Sequence, residues 1–258
     1  MTPPSSRRFG HVIDNVDLSA IGPDFVARLP DLLAAHGVVV FAGQTIDDAA
    51  FVAFLSRLGP MIFTPGETPL AGQPMLNAVS NVARATPPRS VFHTDSSYLA
   101  QPPAYTALRA VVVPEVGGAT LFSDQFAAAD ALPLACRAAL AGRTVRHRVT
   151  GLAGQDQECR QPLLRRHPVS GQTALFLTTP ARCDDLDGQS ASASQRLIDL
   201  LYRRSIRPRG LFTHHWRAGD VVIWDDRCTM HRADHAGTIG DRILHRGMVG
   251  GEMPFPGA

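Results

Sequence analysis

Hydrophobic residues near the start of the chain recur at helical spacing and then form a short apolar run. Residues 24–36 and residues 47–58 each place their apolar side chains on one helical face, and the second segment stops at Gly59. Between them lies the β-branched run Val38–Phe41. Spacing of three to four residues is typical of an amphipathic helix, and a short apolar run bounded by turns is typical of a buried strand. The pattern predicts one strand flanked by two helices.

From residue 76 onward the pattern changes to short apolar runs separated by glycine and proline, which predict strands. The runs are residues 76–79, 106–113, 120–122, 174–177 and 221–224. Helical spacing returns in residues 125–141, where Pro133 breaks it, and in residues 191–204. Residues 83–90 and 151–161 are predicted as mobile loops. Because the helices do not alternate regularly with the strands, the pattern favours an α+β fold in which helices flank a β-barrel or sandwich.

Length and composition predict one folded domain over residues 1–258. The chain is 45% hydrophobic with a net charge of +2, so it can bury a core and has no charge excess of the kind that marks nucleic-acid or membrane binding. Its four cysteines form no CxxC pair, which argues against a zinc ribbon or a disulfide scaffold. No apolar run is long enough to span a bilayer, so we expect a cytoplasmic protein. The sequence leaves room for a homo-oligomer.

The strongest chemical signal is His93 followed two residues later by Asp95. Side chains at i and i+2 of an extended segment point to the same side, so both can bind one metal ion. His231, which follows the predicted strand at 221–224, is the best candidate for a third ligand. Two histidines and one carboxylate form the facial triad of non-haem iron(II) oxygenases. An isolated HxD is common by chance, and a surface histidine is then the simpler interpretation.

Further segments carry a resemblance that extends over nearly the whole chain. The sequence resembles the taurine dioxygenase and 2,4-dichlorophenoxyacetate dioxygenase family of iron(II)/2-oxoglutarate enzymes. The matching segments, in the family's order, are Val16-Asp17-Leu18-Ser19, residues 36–44, Leu58-Gly59-Pro60, His93-Thr94-Asp95-Ser96-Ser97-Tyr98, Gly117-Gly118-Ala119-Thr120, His167-Pro168-Val169-Ser170-Gly171 and residues 224–231. Together these segments are much more specific than the HxD pair alone.

The resemblance implies a double-stranded β-helix, a distorted jelly roll, whose mouth holds iron(II) on His93, Asp95 and His231. It also implies that Thr120 and Arg242 bind the far carboxylate of 2-oxoglutarate. Physical chemistry supports this expectation independently, because a planar guanidinium group can bind a buried carboxylate with two hydrogen bonds.

On the substrate side, the resemblance implies that Arg246 faces both co-substrate and substrate. Arg246 and the backbone near Ser96 would anchor an acidic group of the substrate. Tyr98 is expected in the pocket wall, although ordinary aromatic packing predicts the same position.

The expected reaction is hydroxylation of a C–H bond in a small, acidic substrate, with O2 consumed and succinate and CO2 released. Desaturation, epoxidation or cyclisation would use the same site. Other classes are a non-catalytic barrel that binds metal or a small acid and, less favoured, a zinc hydrolase. The resemblance also implies what to exclude: sulfonate-oxidising members of the family carry a histidine where residues 62–65 have none, so taurine is not the expected substrate. Related halogenases have a small residue at the position of Asp95, so oxygen transfer is favoured over chlorination. Phe92 and Ala119 also depart from the family pattern, on the substrate side.

Overall fold

The computed structural model describes residues 8–64, 66–82, 90–149 and 157–257. The helices are α1 (Pro23–His36), α2 (Asp48–Ser56), α3 (Gln125–Asp130), α4 (Leu134–Leu140) and α5 (Ala191–Ser205). The strands are β1 (His11–Ile13), β2 (Val38–Phe41), β3 (Met61–Ile62), β4 (Leu76–Ser80), β5 (Pro103–Val112), β6 (Thr120–Asp124), β7 (Thr144–Arg148), β8 (Glu158–Pro162), β9 (Leu164–Arg166), β10 (Thr173–Leu175), β11 (Cys183–Asp184), β12 (Leu211–His214), β13 (Val221–Asp225), β14 (Thr229–Ala233) and β15 (Ile243–Gly250). The architecture is mixed α/β and mostly sheet, as the sequence predicts.

The largest sheet has the strand order β1-β2-β13-β5-β15-β3, with β4 also paired to β15. Its centre is buried on both faces, and successive residues point to opposite sides. Val39 and Phe41 pack with Leu29, Leu33 and other residues of the helical layer formed by α1 and α2. The alternate residues of β2 and β13 form a separate cluster on the other face. The sheet therefore separates a helical layer from an inner apolar space.

That inner space is closed by a second sheet of order β12-β6-β14. Phe122 of β6 is fully buried, and its ring lies 5.3 Å from the ring of Trp224 of β13. The two sheets thus face each other across shared aromatic packing. β14 also carries His231, opposite Phe122 in the strand register. This pairing brings a residue from the end of the chain to the inner face.

Short local signals explain where several helices begin and end. The Asp47 side chain accepts a hydrogen bond from the Ala50 backbone at 2.8 Å and caps α2, and Ser190 caps α5 in the same way. α1 ends at Gly37, whose φ of +71° favours a residue without a Cβ. The helical segment 125–141 is divided into α3 and α4 just before and after Pro133, in agreement with the predicted break.

The predicted loop at 151–161 is wrong in its second part. Residues 158–162 form β8, which pairs antiparallel with β7. This strand is polar, so the sequence pattern gave no signal for it. Its Gln161 side chain is buried and donates to the backbone oxygens of Ser97 and Leu99 at 2.9 and 2.8 Å, so tertiary contacts decide the conformation here. Residues 83–89 and 150–156 lie outside the described part of the chain.

A search for membrane-spanning helices finds none among the described residues: every helix there is too short or too polar to cross a bilayer.

Candidate active site

Two histidines lie side by side because their backbones pair directly. The backbone N–H of His93 donates to the His231 carbonyl at 3.0 Å, and the N–H of His231 donates back to the His93 carbonyl at 2.9 Å. The two imidazole rings are 4.3 Å apart between centroids. Strand β14 thus holds one ring, and a single antiparallel bridge holds the other.

Asp95 completes the cluster. Its Oδ1 lies 3.5 Å from His93 Nε2, and its Oδ2 lies 3.7 Å from His231 Nε2. One potential ligand atom from each of the three residues lies within 4.8 Å of the others. Asp95 Oδ2 is buried and accepts no hydrogen bond from the described residues. A buried carboxylate oxygen without a donor, beside two imidazoles, fits a divalent cation such as iron(II) or zinc.

The surroundings of His93 support metal binding through its Nε2, and aromatic packing holds the His231 ring beside it. His93 Nδ1 lies 3.0 Å from the Val91 carbonyl, a contact that requires the proton on Nδ1 and leaves the Nε2 lone pair facing Asp95. The ring of His231 packs 4.5 Å from the ring of Trp224. These contacts fix both rings before any ligand arrives.

Electrostatics keep these groups in the form that binds a metal. Burial opposes ionisation of Asp95, but the adjacent His231 and His93 imidazoles and the Arg246 guanidinium outweigh it, so the pKa of Asp95 is lowered. Burial lowers the pKa of His231 to about 3. At neutral pH the carboxylate is therefore ionised and the His231 imidazole neutral, as metal ligation requires.

Arg242 is a buried cation without an acidic partner among the described residues. Its Nε donates to the Gly118 carbonyl at 2.8 Å and its Nη2 to Thr120 Oγ1 at 3.1 Å, while Nη1 has no hydrogen-bond partner there. Only 1% of the residue is exposed. Burial lowers the pKa of Arg242 to about 10, so the guanidinium still carries its charge at neutral pH. An unpaired buried cation of this kind favours an anionic ligand.

Thr120 is arranged to help bind that ligand. Its Oγ1 accepts hydrogen bonds both from Arg242 and, at 3.0 Å, from Trp216 Nε1. A hydroxyl oxygen has two lone pairs and one proton. Because the two lone pairs are engaged, the Thr120 proton is left to donate to a further acceptor. The two predicted anion-binding residues thus present the Arg242 Nη1 group and the Thr120 hydroxyl as donors in one place.

A cavity of about 150 Å³ joins the metal cluster to this anion site. Its wall includes His93, His231, Thr120, Arg242, Arg246 and Trp224. The cluster and the unpaired guanidinium therefore open into the same space. An anion bound by Arg242 would lie beside a metal held by the three ligands.

Arg246 has different surroundings. Its Nη2 lies 2.6 Å from Glu67 Oε1, its Nε donates to Asn77 Oδ1 at 3.1 Å, and its Nη1 lies 3.5 Å from Asp95 Oδ1. Burial opposes the charge, but Asp95 and Glu67 outweigh it and raise the pKa of Arg246. The resemblance implied a substrate-side role for Arg246 but gave it no partners. No motif in the sequence pointed to Asn77 or Glu67.

The other two predicted substrate residues lie beside this arginine but do not line the cavity. Ser96 is buried in the turn after Asp95, with Oγ 3.5 Å from Thr64 Oγ1, which in turn lies 3.5 Å from Arg246 Nη2. Tyr98 is buried as well, and burial raises its pKa. Ser96 is thus linked to Arg246 through Thr64, a residue for which the sequence indicated no role, and the substrate roles of Ser96 and Tyr98 stay predictions.

A second buried carboxyl group lies behind the metal cluster. Asp226 accepts hydrogen bonds from Thr106 Oγ1 at 2.6 Å and from Trp224 Nε1 at 3.1 Å. Burial and the nearby Asp95 charge raise its pKa. By holding the Trp224 indole, Asp226 supports the ring that packs against His231. Residues 224–231 carry part of the family resemblance, but the sequence indicated no role for Asp226.

Comparisons with known proteins agree with this geometry. Residues 2–248 match the family model described as taurine catabolism dioxygenase TauD, TfdA family. The chain is 27% identical to the (S)-phenoxypropionate/alpha-ketoglutarate-dioxygenase of Delftia acidovorans, covering 99% of this chain and 96% of that protein. It is 31% identical to an alpha-ketoglutarate-dependent sulfate ester dioxygenase of Pseudomonas putida, covering 97% and 89%. The crystal structure of a taurine dioxygenase from Burkholderia xenovorans superposes with a TM-score of 0.85 at 29% identity, covering 96% and 90%.

Proposed function

The chain belongs to the taurine catabolism dioxygenase TauD, TfdA family, and on this premise we propose that it hydroxylates a C–H bond of a small molecule with iron(II) and 2-oxoglutarate. The observation that carries the proposal is the shared cavity. The cluster of His93, Asp95 and His231 opens into it together with Arg242, a buried cation that has no acidic partner among the described residues. A protein that only binds a metal would not need the buried cation of Arg242 in the same cavity.

In this proposal the three clustered residues hold iron(II), and Thr120 and Arg242 bind the far carboxylate of 2-oxoglutarate. When bound, iron and 2-oxoglutarate supply the oxidation by O2, with release of succinate and CO2. The chain itself orients these groups. Arg242 fixes the direction of the co-substrate through its planar donors, and the Trp224 and Phe122 rings hold the His231 imidazole from behind.

Apolar side chains around the cavity reduce its access to water. Leu108, Val79 and Trp224 line it beside the charged residues. In such surroundings each charged contact is stronger than it would be in water. The cavity wall thereby strengthens binding of the dianionic co-substrate.

We further propose that the two facing sheets form a double-stranded β-helix with flanking helices. The sheet that contains β13 and the sheet that contains β14 share the aromatic packing of Phe122 and Trp224. The metal cluster lies at an edge of that packing, as expected for the mouth of a jelly roll.

The finer prediction of an acidic substrate depends on Arg246. The relatives named for phenoxypropionate and sulfate esters favour an acid. In this chain, however, Arg246 already contacts the Glu67 carboxylate. The proposed reaction therefore specifies a small molecule without assigning its charge.

The test is an anaerobic titration of purified protein with iron(II) and 2-oxoglutarate, following the weak visible charge-transfer band of the chelate. We expect the band in the wild type and in Asp130→Ala, which removes an exposed carboxylate. In Asp95→Ala the band should be lost or clearly shifted. Stoichiometric iron in the wild type without any band would contradict co-substrate binding and favour a non-catalytic metal-binding protein.

A further inference from the structure

The substrate side of the site contains a carboxylate that the chain itself provides. Glu67 lies in the segment that follows β3, and its Oε1 is 2.6 Å from Arg246 Nη2. Its other oxygen accepts a hydrogen bond from the Asn77 side chain. Glu67 is therefore fixed by two partners, one of which is the arginine that the resemblance assigns to the substrate.

Asn77 makes this arrangement specific. It lies directly opposite Arg246 in the pairing of β4 with β15. Its amide nitrogen donates to Glu67, and its amide oxygen accepts from Arg246 Nε at 3.1 Å. One amide thus holds both members of the ion pair, so the contact is a built feature of the sheet edge and the neighbouring segment.

The charges of the site make an acidic substrate unfavourable. With iron(II), Asp95 and dianionic 2-oxoglutarate bound, Arg242 and Arg246 leave one positive charge in excess. An acidic substrate would balance that charge, but Glu67 already does so. A second carboxylate beside Glu67 would then meet a like charge in a partly buried place, which is costly.

Exposure indicates which partner an incoming molecule meets. The Glu67 side chain is 33% exposed, whereas the Arg246 side chain is 12% exposed and Asp95 6%. The carboxylate is therefore the more accessible member of the pair. Its exposed fraction can accept a hydrogen bond from a donor group on the substrate.

We propose that Glu67 determines the polarity of the substrate: it takes the place of an acid at Arg246 and selects a small molecule that carries an amine or a similar hydrogen-bond donor. This inference rests on the proposed function, since it assigns the substrate class of the same site. Specificity of this kind arises as much from the repulsion of the wrong ligand as from attraction of the right one.

The test compares two probes that differ in their polar group, phenoxyacetate and 2-phenoxyethylamine. Each is titrated by anaerobic calorimetry into protein loaded with iron(II) and 2-oxoglutarate, so that binding is measured without turnover. We expect the wild type to bind the amine more tightly than the acid. In Glu67→Gln the preference should reverse, with the affinity for phenoxyacetate increased roughly tenfold or more. Glu158→Gln removes an exposed carboxylate from β8 and should behave like the wild type.

The charge-transfer band, recorded before either probe is added, separates the two proposals. Loss of the band in the wild type would overturn the proposed function itself. With the band present, a wild type that prefers the acid would overturn the role of Glu67, because the acid would then displace the glutamate. The absence of any gain in phenoxyacetate binding by Glu67→Gln would overturn it as well, including the case in which neither protein binds either probe. Glu67→Ala, which also removes the charge, should gain affinity for phenoxyacetate as well; a gain confined to Glu67→Gln would overturn charge repulsion as its cause.

Discussion

The two arginines of the site are four residues apart along the chain and both reach the same cavity, yet their surroundings are opposite. Arg242 contacts a carbonyl and a hydroxyl and no acid among the described residues. Arg246 contacts two carboxylates and an amide. The first arginine lacks a counter-charge that a ligand can provide, and the second has one from the chain. The neighbours of an arginine, more than the residue type itself, therefore decide what it binds.

The comparison is tested most strongly by replacing Arg242. We expect Arg242→Met to raise the dissociation constant for 2-oxoglutarate by roughly a hundredfold or more, because the far carboxylate of the ligand would lose the buried cation proposed to bind it. Anaerobic titration of the charge-transfer band measures the constant. Arg204→Met, an exposed position on α5, serves as control. An unchanged dissociation constant in Arg242→Met would show that this arginine does not bind the co-substrate.

For the stability of the metal-free protein, we expect replacement of Arg246 to cost more than replacement of Arg242. Arg246→Met leaves Glu67 and the buried Asp95 without their cation, so we expect the free energy of unfolding to fall by about 2 kcal/mol. Arg242→Met separates no ion pair among the described residues and removes a costly buried charge, so its loss should stay below about 1 kcal/mol. Urea unfolding of both variants at pH 7 measures the difference. Equal losses would mean that Arg242 has a partner of its own.

Substitution of Thr120 tests whether the hydroxyl beside Arg242 helps to bind the co-substrate. Thr120→Val removes the hydroxyl that receives two donors and should donate to the co-substrate, so we expect roughly tenfold weaker 2-oxoglutarate binding. Thr120→Ser keeps the hydroxyl and should bind nearly as the wild type does. The same band titration measures both variants. Equal binding by the valine and serine variants would show that the hydroxyl takes no part.

As the pH falls, we expect His231 to change the stability of the protein, whereas both arginines stay charged. Burial lowers the pKa of His231 to about 3, whereas an unfolded histidine takes up its proton near its ordinary value. The unfolded chain therefore binds the proton first, and this contribution to stability is present above about pH 6.5 and is lost as the pH falls toward 3.

Between pH 7 and pH 5.5 the contribution of His231 should decrease by about 1 kcal/mol. Urea unfolding of metal-free wild type and His231→Gln at both pH values measures it, and the variant should lose about that much less than the wild type. Arg242→Met should keep the wild-type pH dependence, since the guanidinium it removes stays charged over this range and does not contribute to the pKa shift of His231. An identical decrease in His231→Gln would place the proton uptake elsewhere.

The sequence predicted the parts of the site that lie on strands and motifs. His93, Asp95 and His231 come together, and Thr120 contacts Arg242, as the motif positions indicated. Their roles as ligands of iron and 2-oxoglutarate stay predictions that the titrations test. The single domain, the cytoplasmic location and the homo-oligomer also stay predictions.

Glu67 and Asn77 could not be predicted, for two different physical reasons. Glu67 lies between strands, in a segment without hydrophobic periodicity, so nothing in the pattern shows where its side chain points. Asn77 falls inside a predicted strand, but its contact with Arg246 depends on the register between β4 and β15. Register between distant strands follows from the assembled sheet and is not contained in local spacing. The polar strand β8 escaped prediction for a similar reason.

The reciprocal hydrogen bonds between His93 and His231 have a consequence for how the protein is made. The two residues are separated by more than half of the chain, so their pairing is a contact of long range. Such contacts form only after a large loop has closed, and they are typical of slow steps in folding. A chain still emerging from the ribosome can present His93 and Asp95 but has no third ligand to offer. In the proposed site, all three residues can bind iron only after synthesis has passed residue 231 and this pairing has formed.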